Sequence, residues 1–301
     1  MHADEVDTDS SLVQRLVAGR FPEWADLPIE PVFPLGTDHA NYRLGADKLV
    51  RLLRQPSKVA GLERELEWLP RLAKTMPLAI PEPLGRGEPA EGFPFPWAVF
   101  TWVSGENISA ERIRDPQQAA VELAELIRAI RALNAANAPP GLRRGTLRDL
   151  DDWVRTGAAK LDDRYDREGL LAAWDEALEL PAWNGPPTWC HCDLDLRNIV
   201  FLDGRPTGVL DWGWAGVGDP ASDTATAWKV LPAAEARDAV WKALGADDAE
   251  IARARGWTLM QCAGALSYYT PENNPALFHE AERWLTEILG SAPRRSEARR
   301  A

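Results

Sequence analysis

The chain contains 301 residues, 45% of them hydrophobic, which is enough to bury a full core and to divide into two lobes. Its 34 Lys and Arg stand against 46 Asp and Glu, and the net charge of −12 argues against general nucleic-acid binding and slightly favours a cationic partner. The three cysteines do not form a disulfide framework, the acidic first residues do not resemble a signal peptide, and no apolar run of about 18 residues occurs, so we expect a cytoplasmic protein outside the membrane.

Short strands dominate the first third of the sequence. Apolar runs separated by Gly or Pro signals predict five strands, at residues 32–35, 41–44, 48–53, 84–87 and 97–103. The last run ends at Ser104-Gly105-Glu106, and such a polar break after an apolar strand is typical of a hinge between lobes.

Helical spacing of apolar residues dominates the rest of the chain. It predicts helices at residues 10–18, 57–73, 116–133, 147–161, 169–180, 224–230, 233–244, 248–268 and 275–289. Ser57 is the expected cap of the second helix, where Pro70 predicts a kink or an early end. Asp115 followed by Pro116 is a strong start signal for the third helix.

The loop at residues 191–198 carries the first part of a candidate site, because Asp193 and Asn198 lie five residues apart in it. In kinase-type sites a catalytic-loop Asp accepts the proton of the attacking hydroxyl, and an Asn five residues later binds Mg²⁺. The transition state is loose and highly charged, so positioned groups and charge neutralisation are nearly sufficient. We interpret Asp193 as the base and Asn198 as a metal ligand.

A predicted hairpin supplies the second part of this site. Two apolar runs, residues 199–202 and 207–210, are joined by Asp203-Gly204-Arg205-Pro206, which is typical of a hairpin turn. The hairpin would fold Asp211 back beside Asn198. Carboxylate and amide oxygens suit Mg²⁺ and suit zinc or copper poorly, so Asp211 is the second predicted metal ligand.

Two other interpretations apply to the same residues. Asp and Asn are common in turns and caps, and a single pair at this spacing would often be structural. Cys190, His191 and Cys192 suggest zinc, but three adjacent residues cannot close a tetrahedron. Several matches in order along the stretch favour the kinase-like site over both alternatives.

At these residues the chain resembles the aminoglycoside phosphotransferase (APH) family, small-molecule kinases with the protein-kinase fold. The family's catalytic loop reads His-Gly-Asp-Leu-x-x-x-Asn, and a Gly-Asp-Pro segment follows its metal motif. The matching residues here are His191, Asp193, Leu194, Asn198, Asp211, Gly218, Asp219, Pro220 and Asp223. Cys192 stands where the family usually has Gly, and its side chain is small enough for the loop to accommodate.

The resemblance implies an α+β, bilobal protein-kinase-like fold. Its N-terminal lobe would be an antiparallel sheet plus a helix, and its C-terminal lobe would be mainly helical. We place the nucleotide-binding lobe at residues 1–103 and the catalytic and substrate-binding lobe at residues 104–301. The sequence does not indicate an oligomeric state.

The resemblance also implies how the donor phosphates are held. Arg51 resembles the counterpart of the strand Lys that contacts the α and β phosphates in protein kinases, and a guanidinium fork can bind phosphate equally well. Glu65 is the acid expected to pair with Arg51. Glu63 and Glu67 are alternatives for this role, since the three acids alternate along the predicted helix.

Two further segments would contact the nucleotide. The turn containing Gly36 would lie over the phosphates, although a single Gly is also typical of an ordinary hairpin turn. Thr101, Trp102 and Val103 lie where the family supplies backbone groups to the adenine.

The resemblance assigns supporting roles to residues around the loop. His191 would hold the loop shape, Asp219 would brace the loop, and Asp223 would cap the next helix. Residues that could line an acceptor site are Asp149, Asp151, Asp152, Trp153, Trp257, Tyr268 and Tyr269. A capped surface helix is the alternative for the acidic cluster and core packing for the three C-terminal aromatics.

We therefore expect an ATP- and Mg²⁺-dependent kinase, with GTP as an alternative donor, that phosphorylates a hydroxyl of an aminoglycoside-, macrolide- or amino-alcohol-like small molecule. A protein kinase is less consistent with the sequence, because about a dozen residues separate Asp211 from Asp223 and no Ala-Pro-Glu follows. The alternative from another class is a nucleotide-binding, pseudokinase-like regulatory protein without turnover.

Overall fold

A computed structural model describes residues 6–33 and 39–290. The α-helices in these residues are α1 (Ser10–Arg20), α2 (Val59–Leu72), α3 (Pro116–Arg131), α4 (Asp151–Ala159), α5 (Arg167–Leu178), α6 (Ala221–Thr224), α7 (Thr226–Val230), α8 (Ala234–Leu244), α9 (Asp248–Tyr268) and α10 (Pro275–Leu289). The strands are β1 (Ile29–Pro31), β2 (His39–Leu44), β3 (Lys48–Leu53), β4 (Pro83–Gly87), β5 (Trp97–Thr101), β6 (Thr188–Cys190), β7 (Ile199–Leu202), β8 (Arg205–Val209) and β9 (Gly216–Gly218).

The chain divides into two compact units. The first comprises Met1–Glu106 with Thr207–Trp214, and the second comprises Asn107–Pro206 with Ala215–Ala301. A sheet characterises the first unit and helices the second, which confirms the predicted α+β class. The boundary expected between residues 103 and 104 stays a prediction.

The first unit is built on a five-stranded antiparallel sheet with the order β1-β2-β3-β5-β4. Side chains alternate between the two faces of a strand. On β3, Val50 and Leu52 therefore face the apolar cluster that contains Val13 and Leu16 of α1. Arg51 faces the opposite side, where it meets α2. The alternation thus places the buried side chain of Arg51 on the face of the sheet that meets α2.

Two predicted boundaries in the first unit are wrong. The first strand is Ile29–Pro31 instead of residues 32–35, of which 34 and 35 lie outside the described residues. An edge strand tolerates Pro31 because the missing N–H is not needed for pairing. Ser57 does not cap α2, since a 3₁₀ turn that begins at Pro56 precedes this helix. α2 continues through Pro70 and ends at Leu72, one residue before the predicted bound, so the early end is wrong.

The second unit is mainly helical, and its longest helix is α9. The apolar cluster around α9 includes residues of α4, α5 and α10, among them Trp174, Trp257 and Trp284. α3 begins as predicted, with Asp115 accepting hydrogen bonds from the backbone N–H groups of Gln117 and Gln118. β6 and β9 form a short antiparallel pair in this unit.

No helix among the described residues is long and apolar enough to cross a bilayer.

Candidate active site

The loop after β6 brings the predicted base and one predicted metal ligand into direct contact. Asn198 Nδ2 donates to the backbone oxygen of Asp193 at 2.8 Å and to Asp193 Oδ2 at 3.1 Å. Gln261 of α9 donates from Nε2 to the other carboxylate oxygen, Oδ1, at 3.2 Å. The Asn198 amide oxygen accepts no hydrogen bond from the described residues. The Asn198 nitrogen therefore orients the Asp193 carboxylate, and the Asn198 amide oxygen is left available to a ligand.

The backbone of this loop is fixed by a buried carboxylate from α6. Asp223 accepts from the backbone N–H of His191 at 2.7 Å and from that of Cys192 at 2.9 Å. Asp223 lies inside α6, so its predicted role as a helix cap is wrong, and the bracing role predicted for Asp219 belongs to Asp223. Asp219 instead accepts from Arg253 Nε and Trp257 Nε1.

The loop is also held from its C-terminal side. Asn107 Nδ2 donates to the backbone oxygens of Leu196, Arg197 and Ile199, at 3.0, 2.8 and 3.0 Å. The carboxylate of Asp195 is fully buried and pairs with the guanidinium of Arg197. This anchoring keeps Asp193 and Asn198 in one geometry before any ligand binds, which is what positional catalysis requires.

Cys192 has a left-handed backbone conformation, with φ of 72°. Glycine adopts this conformation without steric cost, which explains why the resembled family usually has Gly here. The thiol is buried, and a Cβ atom built on Gly141 would lie only 2.9 Å from Cys192 Sγ. The absent side chain at Gly141 therefore makes room for the side chain at position 192.

In the first unit, Arg51 and Glu65 form the predicted pair. Arg51 Nη1 lies 2.6 Å from Glu65 Oε2, and both side chains are buried. Glu65 Oε1 also accepts from the backbone N–H of Trp212 at 2.9 Å, which ties α2 to the segment that carries Asp211. The two rivals are surface acids, since Glu63 pairs with Arg86 and Glu67 with Arg71.

The charge of Asp211 acts on both members of this pair. Burial raises the pKa of Glu65, and the charge of Asp211 adds to this rise while Arg51 opposes it. Burial alone would lower the pKa of Arg51, but Glu65 and Asp211 raise it overall. The carboxylate of Asp211 accepts no hydrogen bond from the described residues, so this cluster suits an added cation with oxygen-ligand chemistry.

The expected adenine-binding segment is partly occupied by the protein itself. Thr101 ends β5, and its backbone N–H donates to Glu82 O at 2.8 Å. The Trp102 N–H donates to Asp47 O at 2.8 Å, so this amide is not available to a nucleobase. The backbone of Val103 makes no hydrogen bond within the described residues. Gly36 lies outside the described residues.

The acidic cluster considered for an acceptor is used for local structure. Asp149 Oδ2 accepts from the backbone N–H of Thr146 at 2.7 Å, and the two residues form a capping box. Asp151 pairs with Arg155 and accepts from the Trp174 indole N–H. The capped-helix alternative is thus confirmed for Asp149.

Residues that the sequence patterns did not single out complete the surroundings of Asp193. Gln261 contacts the carboxylate directly, and Arg197 Nη2 lies 3.9 Å from Asp193 Oδ2. Burial lowers the pKa of Lys229 in α7, while the nearby carboxylates of Asp195 and Asp193 oppose this effect. Gln261 follows Asp193 by 68 positions, so no local motif connects them, and its only signal is a polar side chain in a mainly apolar stretch of α9.

A family model and a curated relative show what the chain is similar to. The family model for the phosphotransferase enzyme family, APH, matches residues 31–257. The chain is 31% identical over 81 residues to the aminoglycoside 3'-phosphotransferase of Escherichia coli, a match that covers 26% of this chain and spans only 30% of that relative's length.

Two solved structures have the same fold over most of the chain. The GDP and kanamycin complex of APH(2")-IIia matches with 18% identity, a TM-score of 0.70 and coverage of 92% of this chain and 98% of that one. Apo macrolide 2'-phosphotransferase MphH from Brachybacterium faecium matches with 20% identity, a TM-score of 0.60 and coverage of 91% and 97%. Because the family model covers well over half of its residues, the chain belongs to the APH phosphotransferase enzyme family.

Proposed function

We propose that the protein is a kinase that transfers the γ-phosphoryl group of ATP to a hydroxyl of a small molecule. The observation that carries this proposal is the pairing of Asp193 with Asn198, within a chain that belongs to a phosphotransferase family. The nucleotide of one structural neighbour is GDP, so GTP is to be tested beside ATP.

Asp193 would accept the proton of the acceptor hydroxyl as the new O–P bond forms and the bond between the γ-phosphorus and the bridging oxygen breaks. Asn198 and Gln261 each donate to one oxygen of this carboxylate, which fixes its orientation toward the hydroxyl. The anchored loop backbone means that little reorganisation is needed when the acceptor binds.

The oxygen donors present fit Mg²⁺. We propose that the Asn198 amide oxygen and the Asp211 carboxylate are metal ligands, since neither accepts a hydrogen bond from the described residues. Bound Mg²⁺ would supply charge neutralisation for the phosphates. Arg51, held by Glu65, would contact the donor phosphates, and its buried Nε has no hydrogen-bond partner among the described residues. Thr101, Trp102 and Val103 are proposed to border the base.

The test is ADP release from MgATP with a panel of hydroxylated acceptors, aminated, neutral and acidic. We expect acceptor-dependent turnover that falls by about two to four orders of magnitude in Asp193→Ala, since a general base contributes about that much. Asp238→Ala removes an exposed acid of the same type from α8 and should leave turnover unchanged. Chelation of Mg²⁺ should abolish the reaction. Nucleotide binding without acceptor-dependent turnover would contradict the proposal.

A further inference from the structure

Arg143 is a partly buried cation without a carboxylate partner. Its guanidinium carbon lies 5.5 Å from the centroid of the Trp257 ring, and its one side-chain contact of hydrogen-bond type is Nη1 to Met260 Sδ at 3.9 Å. No carboxylate of the described residues lies within ion-pair distance of it. Burial lowers the pKa of Arg143, and Asp193 and Cys192 oppose only part of this effect. A guanidinium in this state keeps most of its donors for a ligand.

Helix α9 places this guanidinium beside the proposed base. One face of α9 carries Trp257, Met260 and Gln261, because the last two follow Trp257 by three and four residues. The first two contact Arg143, and Gln261 donates to Asp193 Oδ1. Asp193 Oδ2 instead contacts Asn198, the proposed metal ligand. Arg143 therefore lies against the α9 face that carries Gln261, and Asn198 contacts the carboxylate oxygen of Asp193 that Gln261 does not.

The backbone that carries Arg143 is hydrogen-bonded to β9 and to Asp219, and β9 pairs with β6, the strand that precedes the loop of Asp193. Asp219 N donates to Arg143 O at 3.1 Å, and Gly141 N donates to Val217 O at 2.9 Å. Gly141 also lies against the Cys192 thiol, as described above. Arg143 is thus positioned relative to Asp193 before a ligand binds, which limits the entropic cost of using it in recognition.

We propose that Arg143 binds an anionic oxygen group of the acceptor, carboxylate or phosphate, while the acceptor hydroxyl faces Asp193. A planar fork of N–H donors matches such groups, and its stacking on Trp257 leaves the edge of the fork for them. A polycationic acceptor would place like charges together here. This inference rests on the proposed function and assigns the acceptor to hydroxylated anions, opposite in sign to the partner favoured by the net charge of −12.

Two matched series of probes test this inference. The first is gluconate, glucose and glucosamine, and the second is glycerol phosphate, glycerol and serinol. Acceptor-dependent ADP release is measured with MgATP, and binding of each probe is measured by calorimetry without nucleotide. Calorimetry therefore measures the affinity for each probe even if no phosphoryl transfer occurs. MgATP binding is measured separately, so that failure of the proposed function is recognised by itself.

We expect at least one anion to bind at least about tenfold more tightly than its neutral and cationic counterparts, as charge-assisted hydrogen bonds predict. Preference for gluconate or for glycerol phosphate distinguishes a carboxylate from a phosphate. Arg143→Met should weaken anion binding by about ten- to a hundredfold and raise KM more than it lowers kcat. Arg143→Lys should recover part of the lost binding. Arg144→Met is the control: it removes the adjacent exposed charge and should change neither anion binding nor KM.

The inference would be overturned if glucosamine bound more tightly or turned over faster than gluconate, or serinol than glycerol phosphate. Equal binding of both anions by wild type and Arg143→Met would also overturn it, whether or not MgATP binds. The backbone carbonyl of Arg143 that accepts from Asp219 remains in every variant, and thermal unfolding verifies that each variant is folded.

Discussion

At position 192 the protein has a side chain where the backbone favours glycine, and it accommodates the thiol against Gly141. A Cβ at Gly141 would lie 2.9 Å from Cys192 Sγ and 3.1 Å from the backbone of Gly216. We expect Gly141→Ala to lower the free energy of unfolding by about 1–3 kcal/mol because the site is overpacked. In a Cys192→Ala background the loss should be smaller by about 0.5–1 kcal/mol, since the nearest atom is gone.

Urea unfolding of the four proteins of this double-mutant cycle measures the coupling. Gly19→Ala is the control, because Gly19 lies in α1 with open space around its Cβ position, and Ala should be neutral or slightly stabilising there. Strict additivity of the two substitutions would contradict the packing explanation.

Removal of Arg51, whose guanidinium pairs with Glu65 and interacts with the charge of Asp211, should change the pH dependence of stability. Because the folded-state pKa of Glu65 is raised, Glu65 contributes stability below its unfolded pKa that is lost as pH rises through the folded pKa. Arg51→Met should raise this pKa further. We expect a loss of about 3 kcal/mol near neutral pH that shrinks in acid, where Glu65 takes up a proton.

Unfolding free energies at about pH 5 and about pH 8 test this expectation. Arg71→Met removes an exposed guanidinium that pairs with Glu67, and it should cost less than about 1 kcal/mol at either pH. If Arg51→Met lowered the unfolding free energy equally at both pH values, the pKa of Glu65 would not depend on Arg51, and the expectation would be contradicted.

At the scale of elements, the short helix α6 holds the loop at residues 191–198 through one carboxylate. Asp223→Ala would leave the buried N–H groups of His191 and Cys192 without their acceptor, and each such group costs about 1–3 kcal/mol. Asp223→Asn should cost less, because its amide oxygen can still accept one of the two bonds. Faster hydrogen exchange at these two amides is the specific readout, with Asp238→Ala of the exposed face of α8 as control.

Unchanged exchange at His191 and Cys192 in Asp223→Ala would contradict the bracing role. The sequence resemblance had assigned this role to Asp219, four residues earlier. Both residues are acids in the same segment, and only the fold shows which of them reaches the loop amides.

Elements with strong periodicity were predictable from the sequence, and elements defined by tertiary pairing were not. The bounds predicted for β3, β7, α9 and α10 agree with the structure, because each has a clear apolar pattern or cap. β6 and β9 have three residues each, too few for a pattern, and depend on their mutual pairing. Asp193 and Asn198 share one local motif, whereas Gln261 of α9 and Arg143, which contacts α9, join them only through tertiary contacts.

At the scale of the whole molecule, net charge and local charge differ. The chain carries −12 overall, yet Arg143, Arg197 and Lys229 all lie near the carboxylate of Asp193. Net charge influences long-range attraction, whereas the side chains that contact a ligand decide recognition. The acceptor is therefore better inferred from the residues around Asp193 than from the composition.

The most direct test of phosphoryl transfer is incubation of the protein with γ-labelled ATP, Mg²⁺ and a small-molecule extract, followed by chromatography of the labelled products. We expect label in at least one small molecule with wild type and its loss in Asp193→Ala. Label confined to inorganic phosphate, or an identical labelled product with Asp193→Ala, would contradict transfer to a small-molecule hydroxyl with Asp193 as the base.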